Sequence, residues 1–197
     1  MIRLAKLLSQ KIFSDTYGKK ITVDTIKMSD GLRTDWAYID CPPSVIVVAL
    51  DQNKNILLIS QYRYTIKNQV TENIAGGIKT GKTQLQTAKA ELFEESGYQS
   101  KKFINLGQYY DLPNETNHFC TIFLALNCRQ VSLPVLDDEE EKNLNLKLIK
   151  HPFLGIYNSL GTRSCPIKSS EHIAAVFLAH RYLSSHRLLW FYIYQII

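Results

Sequence analysis

The stretch Thr83–Gly97 constrains this chain most. Thr83 and Gln86 stand at capping-box spacing, and Gly97 is a natural helix stop, so a helix is predicted from about Thr83 to Gly97. Leu85, Ala88 and Leu92 recur at helical spacing and form its apolar stripe. Glu91, Glu94 and Glu95 sit at i, i+3 and i+4, on one face immediately beside that stripe. The carboxylates therefore flank the side that is to be buried.

A charge run on a helix is usually a solvated face, and such faces carry Lys or Arg three or four residues away. Here those offsets hold Thr87, Ala88, Ala90, Leu92, Gly97, Tyr98, Gln99 and the glutamates themselves. Each like-charged pair costs about 0.2–0.5 kcal/mol. The negative end of the helix adds a few tenths of a kcal/mol. A hard divalent cation with oxygen ligands offsets that repulsion, and magnesium often completes its shell with substrate phosphates. The two readings are thus a solvated acidic face and a metal site, and the second accounts for the missing cations.

Around this helix the sequence alternates between strand signals and turns. Val45–Leu50 and Ile56–Gln61, joined by the polar turn 51–55, read as a hairpin. Ile21–Met28, Trp36–Asp40, Phe103–Tyr110, Thr121–Leu126 and Leu144–Ile149 are further strand candidates. Ser170–Tyr182 reads as a second long helix and His151–Leu160 as a short third. Leu112–Asn117 and Leu136–Lys142 read as loops. Strands dominate the first half and helices follow, so the expected class is α+β with a mixed sheet.

Composition narrows the function classes. The chain has 197 residues, 45% hydrophobic and 21% charged, with a formal net charge of +5. That is ordinary for a globular domain. The basic pairs Lys19-Lys20 and Lys101-Lys102 lie far apart and form no stripe, so no nucleic-acid partner is expected. The longest apolar runs, Val45–Leu50 and Leu188–Ile197, are too short to span a bilayer, and Met1–Lys11 does not read as a signal peptide, so no membrane association is expected. Cys41, Cys120, Cys128 and Cys165 lack zinc-type spacing; Cys120 and Cys128 read as core thiols, and a reducing cytoplasm fits them. The apolar stretch His186–Ile197 has no assigned role.

Two motifs compete for one segment. Gly76-Gly77-Ile78-Lys79-Thr80-Gly81-Lys82-Thr83 matches G-x-x-x-x-G-K-T, the nucleotide-binding P-loop, and it precedes a helix. Against it, 69–74 is too polar for the buried parallel strand a P-loop follows. The candidate metal-binding Asp51 comes before the loop instead of after it, and the glutamates stay unexplained. Alternatively, Gly76 followed at an ungapped distance by Glu91-Leu92-Phe93-Glu94-Glu95-Ser96-Gly97-Tyr98 resembles the Nudix box, G-x5-E-x7-R-E-U-x-E-E-x-G-U. Lys82 replaces the first Glu of the box and Ala90 its Arg. Upstream, Gln61-Tyr62-Arg63 and Glu72-Asn73-Ile74-Ala75-Gly76 are similar to the Q-Y-R and E-L-P-A-G segments of the ADP-ribose pyrophosphatase branch of the Nudix hydrolases. Ile74 stands at the Pro. The resemblance runs from about Trp36 to Leu183.

That resemblance implies a Nudix-type α/β/α sandwich over 41–185. It also implies N-terminal strands within 1–40 that form a homodimer, and leaves a tail, 186–197, outside the domain. The implied reaction is Mg²⁺-dependent hydrolysis of a nucleoside diphosphate sugar, first ADP-ribose, to AMP and ribose 5-phosphate, with Mn²⁺ as the alternative ion. Metal ligands map to Glu91, Glu94 and Glu95 and to the carbonyl of Ala75. Glu91 is also counted among the catalytic groups. The base maps to Glu140 in the acidic loop, with Glu139 and Glu141 as neighbouring alternatives. Arg63 would meet phosphate or ribose, and Glu72 base or ribose. His118 reads as a loop hydrogen-bonder. The family's box Arg orients the carboxylates, partly through the first Glu of the box. Both are replaced here, which leaves a weakened enzyme and an inactive nucleotide-sugar binder as alternatives.

Overall fold

The computed structural model describes residues 5–14, 20–136 and 145–188. The chain divides into two compact units. One comprises the residues up to Pro43 with Tyr109–Cys120; the other comprises Ser44–Gln108 and the residues from Thr121 onward.

The first unit is a three-stranded antiparallel sheet of β1 (Ala5–Ser14), β2 (Lys20–Met28) and β3 (Arg33–Asp40), in that order. The sequence does not announce β1, because its apolar residues come in doublets instead of alternating. The pairing explains this: Leu7 faces Ile26 and Ser9 faces Thr25, so Leu8 is an inserted bulge residue that resets the alternation. Leu7, Leu8, Ile12 and Phe13 are exposed. The segment after Tyr110 is a loop, as expected, and is laced to β3. Ile39 N–H donates to the Glu115 carbonyl at 2.8 Å. Asn117 donates to Asp40 at 2.6 Å and accepts from Cys41 N–H at 3.0 Å. His118 pairs with Asp111 inside the same loop.

The second unit is built on a sheet ordered β10-β5-β6-β4-β9-β7, with β8 on β9. Its strands are β4 (Ser44–Asp51), β5 (Asn55–Arg63), β6 (Asn68–Gly77), β7 (Tyr98–Gln99), β8 (Lys102–Tyr110), β9 (Phe119–Gln130) and β10 (Lys147–Pro152). The expected hairpin is β4–β5. Asp51 closes it by accepting from Asn55 N–H at 2.8 Å and from the Asn55 side chain at 3.1 Å. β6 inserts beside both strands and runs antiparallel to each. The buried residues of β4 have partners on both faces. On one face Val45, Val47 and Ala49 join Leu57, Ile59 and Ile74 in a core cluster with Ala88 and Leu92 of helix α1 (Gln84–Ser96). The other face receives α3 (Ser170–Ser185), whose buried residues are His172, Ala175, Val176, Ala179 and Leu183. Strands and helices therefore combine in the expected α+β class.

Local differences from the sequence reading have physical reasons. The short helix α2 spans Phe153–Ser159; His151 and Pro152 finish β10 instead, pairing with Ile56 and Asn55. Leu85, assigned to the apolar stripe, is 39% exposed. It lies in the first turn of α1, and the buried face begins at Thr87, whose hydroxyl donates to the Thr83 carbonyl at 3.1 Å. Cys120, Cys128 and Cys165 are buried thiols, and burial pushes Cys128 up to about 12. No helix among the described residues is long and apolar enough to cross a membrane. Glu139, Glu140 and Glu141, and the tail from 189 on, lie outside the described residues.

Candidate active site

Helix α1 is held at both ends by its own sequence. Thr83 Oγ1 accepts from Gln86 N–H at 3.2 Å, and Gln86 accepts from Thr83 N–H at 2.8 Å. Gly97, at φ 71°, closes the other end. A side chain there would collide with the Ser132 carbonyl. The chain passing that end is bonded to the helix: Val131 N–H donates to the Gly97 carbonyl at 2.9 Å, and Val135 N–H to the Glu94 carbonyl at 2.7 Å. The C-terminal turn, where the glutamates stand, is thereby fixed.

The turn is fixed against the end of β6. Successive strand residues face opposite sides. Ile74 joins the core with α1, so Gly76, two residues on, faces α1 as well. The Glu91 carboxyl occupies the space where a Cβ on Gly76 would lie. This glycine is required by close approach. Next to it, Ala75 N–H donates to Glu95 Oε2 at 3.3 Å. Glu91 and Glu95 are both buried, and Glu94 is half-buried. The structure thus brings Ala75, Glu91 and Glu95 together, with Glu94 at the margin. The glutamates do not merely flank the buried side of α1; two of them belong to it.

A second polar group sits on the same face of the sheet. Ile59 lies opposite Glu72 in the β5–β6 register, and Gln61 and Arg63 follow at strand spacing. Arg63 Nη2 and Nε donate to Glu72 Oε2 at 2.6 and 3.2 Å. Gln61 donates to the same oxygen at 3.0 Å, and Ser169 Oγ to Oε1 at 3.1 Å. Burial raises the pKa of Glu72. The hydrogen bond and charge of Arg63 and the Ser169 hydrogen bond outweigh it, and the carboxyl is held below its ordinary value. Beside it, His172 Nδ1 accepts from Asn73 N–H at 3.1 Å. Arg63 and Glu72, both expected at the substrate, also engage each other. Ser169 and His172 escaped it, because a serine ahead of a helix reads as a cap and a lone histidine as a core residue.

The P-loop alternative finds no support in this geometry. The strand leading into Gly76 is antiparallel to both neighbours, whereas a P-loop follows a parallel strand. Lys82 is exposed, in a turn closed by its N–H on the Lys79 carbonyl at 3.0 Å.

Among the described residues, no three acidic, His or Cys side chains converge tightly enough to enclose a metal ion by themselves. Glu91 and Glu95 nevertheless offer hard anionic oxygens one helical turn apart. Such a pair suits magnesium, which keeps several waters and takes phosphate oxygens from a substrate.

Residues 41–151 match the family model of the NUDIX domain. The chain is 28% identical to the ADP-ribose pyrophosphatase of Bacillus subtilis over 137 residues, 68% of this chain and 70% of that protein. It is 25% identical to the methanol dehydrogenase activator of Bacillus methanolicus over 133 residues, 68% of this chain and 71% of that one. It is 30% identical to the ADP-ribose pyrophosphatase of Mycobacterium tuberculosis over 118 residues, 59% and 57% of the two chains. Its fold is similar to the crystal structure of an ADP compounds hydrolase, with a TM-score of 0.80 at 18% identity, covering 94% of this chain and 97% of that one.

Proposed function

The chain belongs to the NUDIX family of hydrolases, and from that premise we propose that it cleaves the pyrophosphate of a nucleoside diphosphate sugar, with ADP-ribose as first substrate and AMP and ribose 5-phosphate as products. The observation that carries this reading is the seating of Glu91 and Glu95 against Gly76 and Ala75. Two ADP-ribose pyrophosphatases among the relatives support the choice of substrate.

In this reading Glu91 and Glu95 hold Mg²⁺, or Mn²⁺ in its place, with Glu94 and the Ala75 carbonyl as further donors. The ion, when bound, neutralises charge on the pyrophosphate and its departing oxygen. The chain's own work is to hold these oxygens still: Gly76 leaves room for one carboxylate, and Ala75 N–H anchors the other. Water attacks one phosphorus and the bridging P–O bond breaks. Glu140 takes the water's proton, with Glu139 and Glu141 as alternatives. Supporting this, Val135, five residues earlier, is bonded to the glutamate-bearing turn. Arg63 meets a phosphate or ribose oxygen. We propose further that the protein is cytoplasmic and acts as a homodimer through its N-terminal strands, whose exposed Leu7, Leu8, Ile12 and Phe13 favour such burial.

The test is a panel of nucleoside diphosphate sugars with Mg²⁺, scored by nucleoside monophosphate release. ADP-ribose is expected to yield AMP. Tight binding without turnover would instead identify an inactive binder, consistent with Lys82 and Ala90 at the two altered box positions.

Lys82→Ala separates the two motifs. A P-loop lysine contacts the β- and γ-phosphates, and its loss is ruinous. Here the side chain is exposed and its box position normally holds the opposite charge. Turnover is expected to change by less than about tenfold, equivalent to about 1.4 kcal/mol. Complete loss, together with γ-phosphate release from ATP by the wild type, would reinstate the P-loop.

A further inference from the structure

The carboxylate of Glu72 collects more donors than an ion pair needs. Its side chain is 6% exposed, while that of Arg63 is 44% exposed. Both Arg63 bonds end on Oε2, which also takes Gln61, and Ser169 fills Oε1. A guanidinium has five N–H donors in a rigid fork. The Nε–Nη2 edge is committed to Glu72, which fixes the plane of the group and turns its Nη1–Nη2 end away from the carboxylate. Ser169 makes the same point from the other side. It is the N-cap of α3, yet its side chain makes no capping hydrogen bond; its hydroxyl goes to Glu72 instead. A cap is worth about 1 kcal/mol. Diverting it makes sense if the geometry of Glu72 matters more than the start of the helix.

The location fits recognition better than chemistry. Glu72 and Gly76 point to one face of β6, four residues apart, which is about 13 Å at strand rise. Arg63 therefore stands well removed from the Glu91 carboxylate, at a distance that suits binding better than a part in bond cleavage.

We infer that Glu72 is a positioning residue: it touches no substrate itself but holds the Arg63 guanidinium, with Gln61 and Ser169 completing its shell, so that the outward end of Arg63 meets a phosphate or ribose oxygen of the nucleoside diphosphate sugar. This rests on the substrate reading above. Substrate recognition then depends on a carboxylate that the substrate never reaches, and on a serine contributed from α3.

The experiment measures kcat and KM for ADP-ribose with Mg²⁺, and thermal melting, for Glu72→Gln, Arg63→Ala, the double variant and Ser169→Ala. Glu72→Gln is expected to raise KM about tenfold, what one charge-assisted hydrogen bond is worth, with kcat within about threefold, the signature of lost uniform binding. Arg63→Ala is expected to raise KM at least as much, and the double variant no further, because Glu72 acts through Arg63. Ser169→Ala, which removes one donor, is expected to raise KM about twofold to threefold. A purely structural pair would lower the melting temperature and leave KM unmoved, and that result would overturn the inference. So would KM effects of Glu72→Gln and Arg63→Ala that multiply in the double variant. If Glu72→Gln does not fold, Ser169→Ala decides: raised KM upholds the role and unchanged KM overturns it. Absence of AMP release by the wild type would overturn the substrate reading; release with KM unmoved in the variants overturns only the role of Glu72.

Discussion

Glu95→Gln is expected to abolish hydrolysis and leave the fold standing. Glutamine keeps the shape of the side chain and an oxygen for Ala75 N–H, so the packing at the end of β6 persists. What disappears is one of two negative charges one turn apart on a buried helix face. Repulsion between such charges costs about 0.2–0.5 kcal/mol even on an exposed helix. Without divalent metal the melting temperature should therefore hold or rise. With metal, turnover should fall by more than about a hundredfold, beyond the usual effect of an outer-sphere partner. AMP release at saturating Mg²⁺, paired with melting curves in chelator, checks both halves. Undiminished turnover would remove Glu95 from the metal site.

Gly76→Ala should be comparably severe by another route. The backbone at Gly76 demands nothing unusual; the space beside it is taken by the Glu91 carboxyl. A methyl group there must displace either the carboxylate or the end of β6. Overpacking of this kind costs about 1–3 kcal/mol, and moving a reacting group by about 1 Å costs about a hundredfold in rate. The atoms in the way are the far end of the Glu91 side chain, so loss of turnover with a smaller loss of stability is expected, read by AMP release and denaturant titration. Wild-type kinetics in this variant would show that Glu91 tolerates a different seat.

The two variants probe what was most legible in the sequence. Helix α1 is specified locally: its capping box, its closing glycine and its carboxylates all lie within 83–97, so short-range spacing suffices. The close approach of Gly76 to Glu91 has no local signal; the family resemblance supplies only the box spacing between them and the Ala75 carbonyl as a ligand. β6 was harder to read as a strand because Glu72 and Asn73 are buried polar residues. What makes them tolerable lies elsewhere in the fold: Arg63 and Gln61 on β5 for Glu72, with Ser169 and His172, 97 and 99 residues away, for Glu72 and Asn73. No local pattern encodes such partners. β1 escaped for the opposite reason: a local defect, the Leu8 bulge, disguises an ordinary strand. Arg63 and Glu72 stand out in the sequence only through the family resemblance, and their mutual pairing does not, since strand register across the β5–β6 pair is a tertiary property.

β6 alternates two chemistries along one backbone. Glu72, Ile74 and Gly76 belong to the side of α1, while Asn73 is bonded to His172 of α3. A strand slipped by one residue so that Asn73 takes the place of Ile74 would present Glu72 to the histidine and the Asn73 amide to the core beneath α1, and it would move the carboxylate seats off their partners. An alignment error in this strand would therefore cost both the packing beneath α1 and the seating of the carboxylates. The alignment of β6 is thus a shared condition of both carboxylate seats, and refolded molecules with a slipped β6 are expected to lack the proposed activity.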